Sequence, residues 1–167
     1  MTPPAWLALA RSHLGKREIP GKATAPFITR WLLSLKAWWG DDETPWCGVF
    51  VAGCLTDAGL PKPKNWFRAR AYLDYGTPLV KPRVGCIVVF DGGLTRPGAG
   101  HVGFVVGQDE KSQLMVLGGN QANAVTIAPF VKTRVLGYRW PPGAEPPTGA
   151  PLPLLASNGA APSGHEA

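Results

Sequence analysis

Cysteine and histidine are scarce in this chain, three of each in 167 residues. Three thiols leave one unpaired under any disulfide scheme. Cys47 and Cys54, seven positions apart on a helix, would stand about 10 Å apart along its axis, too far for an S–S bond. The expectation is a reduced protein made in the cytoplasm, with at least one thiol left for chemistry. No CxxC or HExxH spacing occurs, so neither a metal ion nor a cofactor is expected. Apolar runs are short as well: none approaches eighteen residues, and no membrane insertion is expected. The opening stretch MTPPAWLALARSHLG has no basic residue before its apolar segment and no small-residue cleavage pattern, which argues against a Sec signal.

Acidic residues are few. Residues 1–140 hold all 17 Lys and Arg against nine of the eleven Asp and Glu, a net +8, whereas residues 141–167 have two Glu and no Lys or Arg. Such an excess favours encounter with polyanions: nucleic acid, teichoic acid or an anionic envelope surface. No nucleic-acid-binding motif accompanies it, and Lys16-Arg17, Lys62, Lys64, Arg68 and Arg70 lie in separate segments, so no specific nucleic-acid partner is expected. What the chain does have is apolar material, 45% of residues with seven tryptophans, enough for the core of one domain. A monomer is the expected state.

Helical spacing marks four segments in the first half. Pro4–Leu14 stops at Gly15, and PFITRWLLSLKAWW starts at Pro26 with Phe27, Trp31 and Leu35 on one face. A third helix runs from Pro45 to about Ala58, with Thr44 as N-cap, Pro45 at the first helical position and Gly59 as stop. Asn65 can cap a fourth, WFRARAYLDY. From Pro82 the pattern changes to VGCIVVF, HVGFVVG, LMVLGG, AVTIAPF and VLGYRW, five short runs rich in β-branched and aromatic residues that read as strands. Helices first and an antiparallel sheet after them predict an α+β domain over residues 1–140. Residues 141–167 contain seven prolines and four glycines and read as a flexible tail or linker.

The third helix puts Cys47 in its first turn. There, unpaired backbone N–H groups and the helix dipole favour a thiolate, and thiols so placed have pKa values lowered to about 3.5 to 7.5. The same N–H groups can receive an oxyanion. A base is then needed. His13 reads as a surface or interfacial residue and His165 lies in the tail, which leaves His101 at the start of HVGFVV. The imidazole needs an orienter in turn. If the strands containing His101 and LGGNQ pair antiparallel, Asn120 would sit beside His101; Gln121 is the alternate, because the neighbouring side chain could be the one that points the right way.

Taken in order, TPWCGVFVAGCLTDAGL, VGCIVVF, GHVGFVVG and LGGNQ resemble the papain-like murein hydrolases of the CHAP and NlpC type, most of all a phage-associated and bacterial cell-wall hydrolase branch. The resemblance covers roughly Trp6 to Pro141. It implies a papain-like fold, N-terminal helices packed on a curled antiparallel sheet of about five strands, and peptidoglycan as substrate. It also implies Cys47 as nucleophile, His101 as base and Asn120 as the third, polar residue. Relatives often read GDIVVF where this chain has Gly85-Cys86-Ile87, and Cys86 is expected to pack in the core, as is Cys54. Asn120 in place of a second histidine leans to the CHAP variant.

The implied reaction is hydrolysis of a stem-peptide amide, by an endopeptidase or an N-acetylmuramoyl-L-alanine amidase. Three further residues are candidates for substrate binding. Glu43, with Asp42, could meet a cationic group of the substrate or only place negative charge near a helix start. Trp46 could line the groove or form a buried wedge. Gln121 is the third. The alternative to an enzyme is a non-catalytic envelope-binding module of a phage or secretion machine. Without a Sec signal, access to the wall or periplasm would come by phage-mediated release, carriage in a virion or dedicated secretion.

Overall fold

The computed structural model describes residues 2–19, 24–40, 45–93, 98–156 and 159. Three helices open the fold: α1 (Ala5–Ser12), α2 (Pro26–Ser34) and α3 (Cys47–Asp57). α1 follows Pro4, whose extended backbone (φ −56°, ψ 148°) leads into the first turn, and buries Trp6, Leu7 and Ala10. α2 buries Ile28, Trp31 and Leu32. It stops at Ser34, short of the expected Trp39, because Lys36 takes a left-handed backbone (φ 59°). Trp38 and Trp39 therefore leave the helix.

α3 is apolar on all sides, and every residue from Cys47 to Leu55 is buried. Such a helix belongs at the centre of a molecule. It begins at Cys47 with Trp46 as its cap, two residues later than expected, and Thr44 lies outside the described residues. α2 crosses α3 closely, with Gly53 lying directly under the Trp31 indole where no Cβ would fit. Arg30 and the Trp31 indole N–H both reach Asp57 at the end of α3, at 2.9 and 3.1 Å.

The expected fourth helix is instead a short 3-10 turn, Ala69–Asp74, following an irregular stretch at Trp66 and Phe67. Strands β1 (Thr77–Leu79), β2 (Ile87–Asp91), β3 (Gly100–Gln108), β4 (Leu114–Gln121), β5 (Ala124–Phe130) and β6 (Val135–Trp140) form one curled, open sheet in the order β1-β6-β2-β3-β4-β5. All pairings are antiparallel. Five of these strands match the expectation; β1, three residues that pair only with β6, carries too little pattern to be read. An α+β fold with helices packed on a curled antiparallel sheet is what the chain adopts.

Ala122 and Asn123 join β4 to β5 with φ of 52° and 59°, the two left-handed residues of a tight hairpin turn. Just before it Asn120 also has positive φ (57°), and the β4–β5 register shifts between Gly118 and Gln121. This is a bulge in the strand end that carries the expected orienter.

Of the expected tail, residues 141–156 and 159 are described, and residues 153–155 lie along the domain. Pro153 O accepts from Gln108 N–H at 2.9 Å, and Leu155 N–H donates to Gln108 O at 2.8 Å, a short parallel bridge to the end of β3. Leu152 and Leu155 pack against the core. Prolines remove donors along this stretch, but a few leucines suffice to fix it.

Candidate active site

Antiparallel pairing brings the start of β3 and the end of β4 to the same end of the sheet, and α3 points its N-terminus there. The dipeptide Gly118-Gly119 is the seam. A Cβ at Gly119 would lie 2.6 Å from Phe50 Cβ and 2.7 Å from the Trp46 indole, both in the first turn of α3 or next to it. A Cβ at Gly118 would run into the Gln121 carboxamide and lie 3.2 Å from His101 Nε2. Only glycine lets the helix tip, the imidazole and the carboxamide crowd around one point of the strand.

A second link passes through the 3-10 segment. A Gly48 Cβ would lie 2.6 Å from Trp66 O, and the Tyr72 hydroxyl shares its proton between Gly48 O (2.8 Å) and Trp66 O (3.0 Å). Burial holds that phenol far above its ordinary pKa, so it stays a donor. On the same segment Ala69 and Arg70 pack against Gly100, beside His101, and Arg70 bonds Ala99 O (3.2 Å) and the Asp91 carboxylate (2.8 Å). Residues 66–70 thus tie the start of α3 to the start of β3. No residue pattern signals these supporting roles for Tyr72 and Arg70.

His101 sits in an aromatic slot, its ring stacked on Phe130 at 5.1 Å and 8° and on Phe90 at 6.4 Å. Its Nε2 lies 2.9 Å from Gln121 Oε1. The Gln121 amide NH2 faces Val116 O (3.2 Å), Thr126 O (2.9 Å) and Thr126 Oγ1 (2.9 Å). Two of those three can only accept, which fixes the carboxamide with its oxygen toward the ring. An acceptor at Nε2 selects the tautomer with the proton on Nε2 and leaves the Nδ1 lone pair for a substrate or nucleophile proton. Burial lowers the His101 pKa below 6.5; the bond to Gln121 opposes this, and the Arg134 cation adds to the lowering. At neutral pH the ring is uncharged.

The expectation placed Asn120 beside His101, but Gln121 makes the bond. Simple alternation along a strand fails here because the left-handed Asn120 and the register shift rotate the chain by a residue. The run Asn120-Gln121-Ala122-Asn123, dense in turn-forming Asn, was the available signal.

Cys47 is the first residue of α3 and 8% exposed. The helix's own ladder opens with Phe50 N–H bonded to Trp46 O at 2.9 Å, so the earlier N–H groups face out of the helix end. Trp46 is 1% exposed and its indole N–H bonds the Glu18 carboxylate at 2.9 Å, with the ring edge-on to Phe27. It is a buried wedge between α3 and β4. Glu43 and Asp42 lie outside the described residues, as does His165. His13 is buried rather than superficial, held by Lys16 Nζ at 3.0 Å and by the Trp31 ring at 4.7 Å.

Cys54 and Cys86 are fully buried, and burial pushes both thiols up, Cys86 to about 12. Neither is reactive at neutral pH. Among the described residues no helix is long and apolar enough to cross a membrane.

No curated protein gives a significant match to the chain. Residues 39–120, however, match the family model of the CHAP domain, a stretch that takes in the start of α3, the 3-10 segment, β2, β3 and β4 as far as Asn120, one residue before Gln121. CHAP domains as a family are generally hydrolytic on peptidoglycan, and the match spans both the helix tip that carries Cys47 and the strand that carries His101, so over residues 39–120 the chain is similar to a CHAP domain.

Proposed function

We propose that the protein hydrolyses an amide bond of the peptidoglycan stem peptide with Cys47 as nucleophile, His101 as general base and acid, and Gln121 as the residue that orients the imidazole. The observation that carries the reading is the 2.9 Å bond between Gln121 Oε1 and His101 Nε2, which leaves Nδ1 as the basic nitrogen. His101 Nδ1 takes the thiol proton as sulfur bonds to the carbonyl carbon. The resulting oxyanion meets N–H groups at the open end of α3. Collapse breaks the C–N bond, and the imidazolium passes its proton to the departing amine. A water then attacks the thioester with His101 taking its proton; a carboxylic acid leaves and the proton returns to sulfur.

The uncharged resting His101 suits this order, because it must accept the thiol proton as sulfur attacks. The setting is release from a producing cell or delivery into the wall or periplasm by a phage or secretion machine. Mass spectrometry of muropeptides after digestion of purified peptidoglycan tests the reading. A new amine and a new carboxyl terminus at one stem-peptide bond are expected; new reducing sugars with intact peptides would overturn it.

A further inference from the structure

Four aromatic rings cluster where the end of α2 meets the residues before the 3-10 segment. Trp38 packs edge-on to Trp39 and to Phe67, both at 4.7 Å; Trp39 stacks on Trp66 at 5.7 Å; and Arg68 lies 5.7 Å over the Phe67 ring. Trp66 is buried and anchors the group, whereas Trp38 is 74% exposed. A large aromatic ring held by two neighbours and yet open to water is a preorganised surface rather than a failure of packing.

The cluster adjoins the nucleophile. Phe67 backbone atoms lie 2.9 to 3.0 Å from the point a Gly48 Cβ would occupy, one residue from Cys47. Trp38, packed on the Phe67 ring, thus belongs to the segment that abuts the tip of α3. Exposed Lys62, Lys64 and Arg68 flank the aromatic pair Trp66-Phe67 in sequence, and a wall polymer bearing stem-peptide carboxylates complements them.

We propose that Trp38, backed by Trp39 and Phe67, is a glycan subsite: an amino-sugar ring of the peptidoglycan strand lays its apolar C–H face on the Trp38 indole while the attached stem peptide runs to Cys47. This rests on the hydrolase reading for its substrate but not for its test. Sugar binding at this subsite directs cleavage to the stem bonds nearest the glycan.

The test is co-sedimentation of full-length C47A, C47A/W38A and C47A/W38F with insoluble glycan strands from which the peptides have been removed. C47A is expected to bind, W38A to weaken binding about tenfold and W38F to restore most of it. Trp38 is exposed, so the substitution spares the core. Equal binding by C47A and C47A/W38A, or no binding by either, overturns the subsite. In the active protein, W38A should raise KM on intact peptidoglycan with kcat unchanged and leave turnover of a sugar-free stem peptide untouched. An equal loss on both substrates also overturns it. Failure of the hydrolase reading would appear separately, as absence of turnover by the parent protein.

Discussion

Gln121 Oε1 and His101 Nε2 lie 2.9 Å apart at the mouth of the β3–β4 pair, and the carboxamide is held in that orientation by three further contacts from its own NH2 group. A neutral side chain that orients an imidazole need not carry charge; it must only hold one tautomer and one ring position.

Replacing Gln121 with Leu should therefore lower kcat about 100-fold with little change in KM, while Asn120→Ala stays within about threefold of the parent. Steady-state kinetics on purified peptidoglycan separates the two. A severe loss in N120A with Q121L near normal would return the role to Asn120.

Adjacent glycines should fail differently. Gly118→Ala places a methyl against the Gln121 carboxamide and His101, so activity should drop at least tenfold with a modest loss of stability. Gly119→Ala drives its methyl into Phe50 and Trp46 and should cost about 1 to 3 kcal/mol of stability, read as a lower denaturant midpoint. Similar effects from both would mean the strand has no functional division at that point.

Glu18 accepts the hydrogen bond of a buried indole N–H, so Glu18→Leu should cost about 1 to 3 kcal/mol by leaving that donor unmet, and Glu18→Gln should recover most of it. Urea unfolding of both variants checks this. Equal stability of all three proteins would show that the Trp46 wedge does not depend on its partner.

Acid should act on both activity and stability. Burial depresses His101 and His13 below 6.5, so each is neutral in the fold where an exposed histidine would begin to charge. Below pH 6.5 the unfolded chain binds protons that the native state refuses. Stability is therefore complete above that pH and declines as pH falls through the lowered native values. The acid limb of kcat/KM should likewise lie below 6.5. A limb above 7, or greater stability on acidification, would contradict the neutral His101.

Much of this was readable from residue patterns. Pro4 and Pro26 marked helix starts, alternating β-branched residues marked five strands, and Cys47 and His101 stood out because few reactive side chains exist. What was hidden depended on long-range packing. The left-handed Lys36 released Trp38 and Trp39 from their helix, and the bulge at Asn120 exchanged one carboxamide for its neighbour. Residues 141–156, proline-rich and unpromising alone, are held by backbone bonds to Gln108 that no local signal announces.

The most direct measurement is clearing of purified peptidoglycan by Cys47→Ala, with circular dichroism confirming the fold. Cys54 and Cys86 are sealed in the core, so no other thiol can substitute. Clearing should vanish in C47A and in the parent treated with iodoacetamide, and persist in Cys54→Ala. Clearing by C47A at the parent's rate would contradict a thiol mechanism outright.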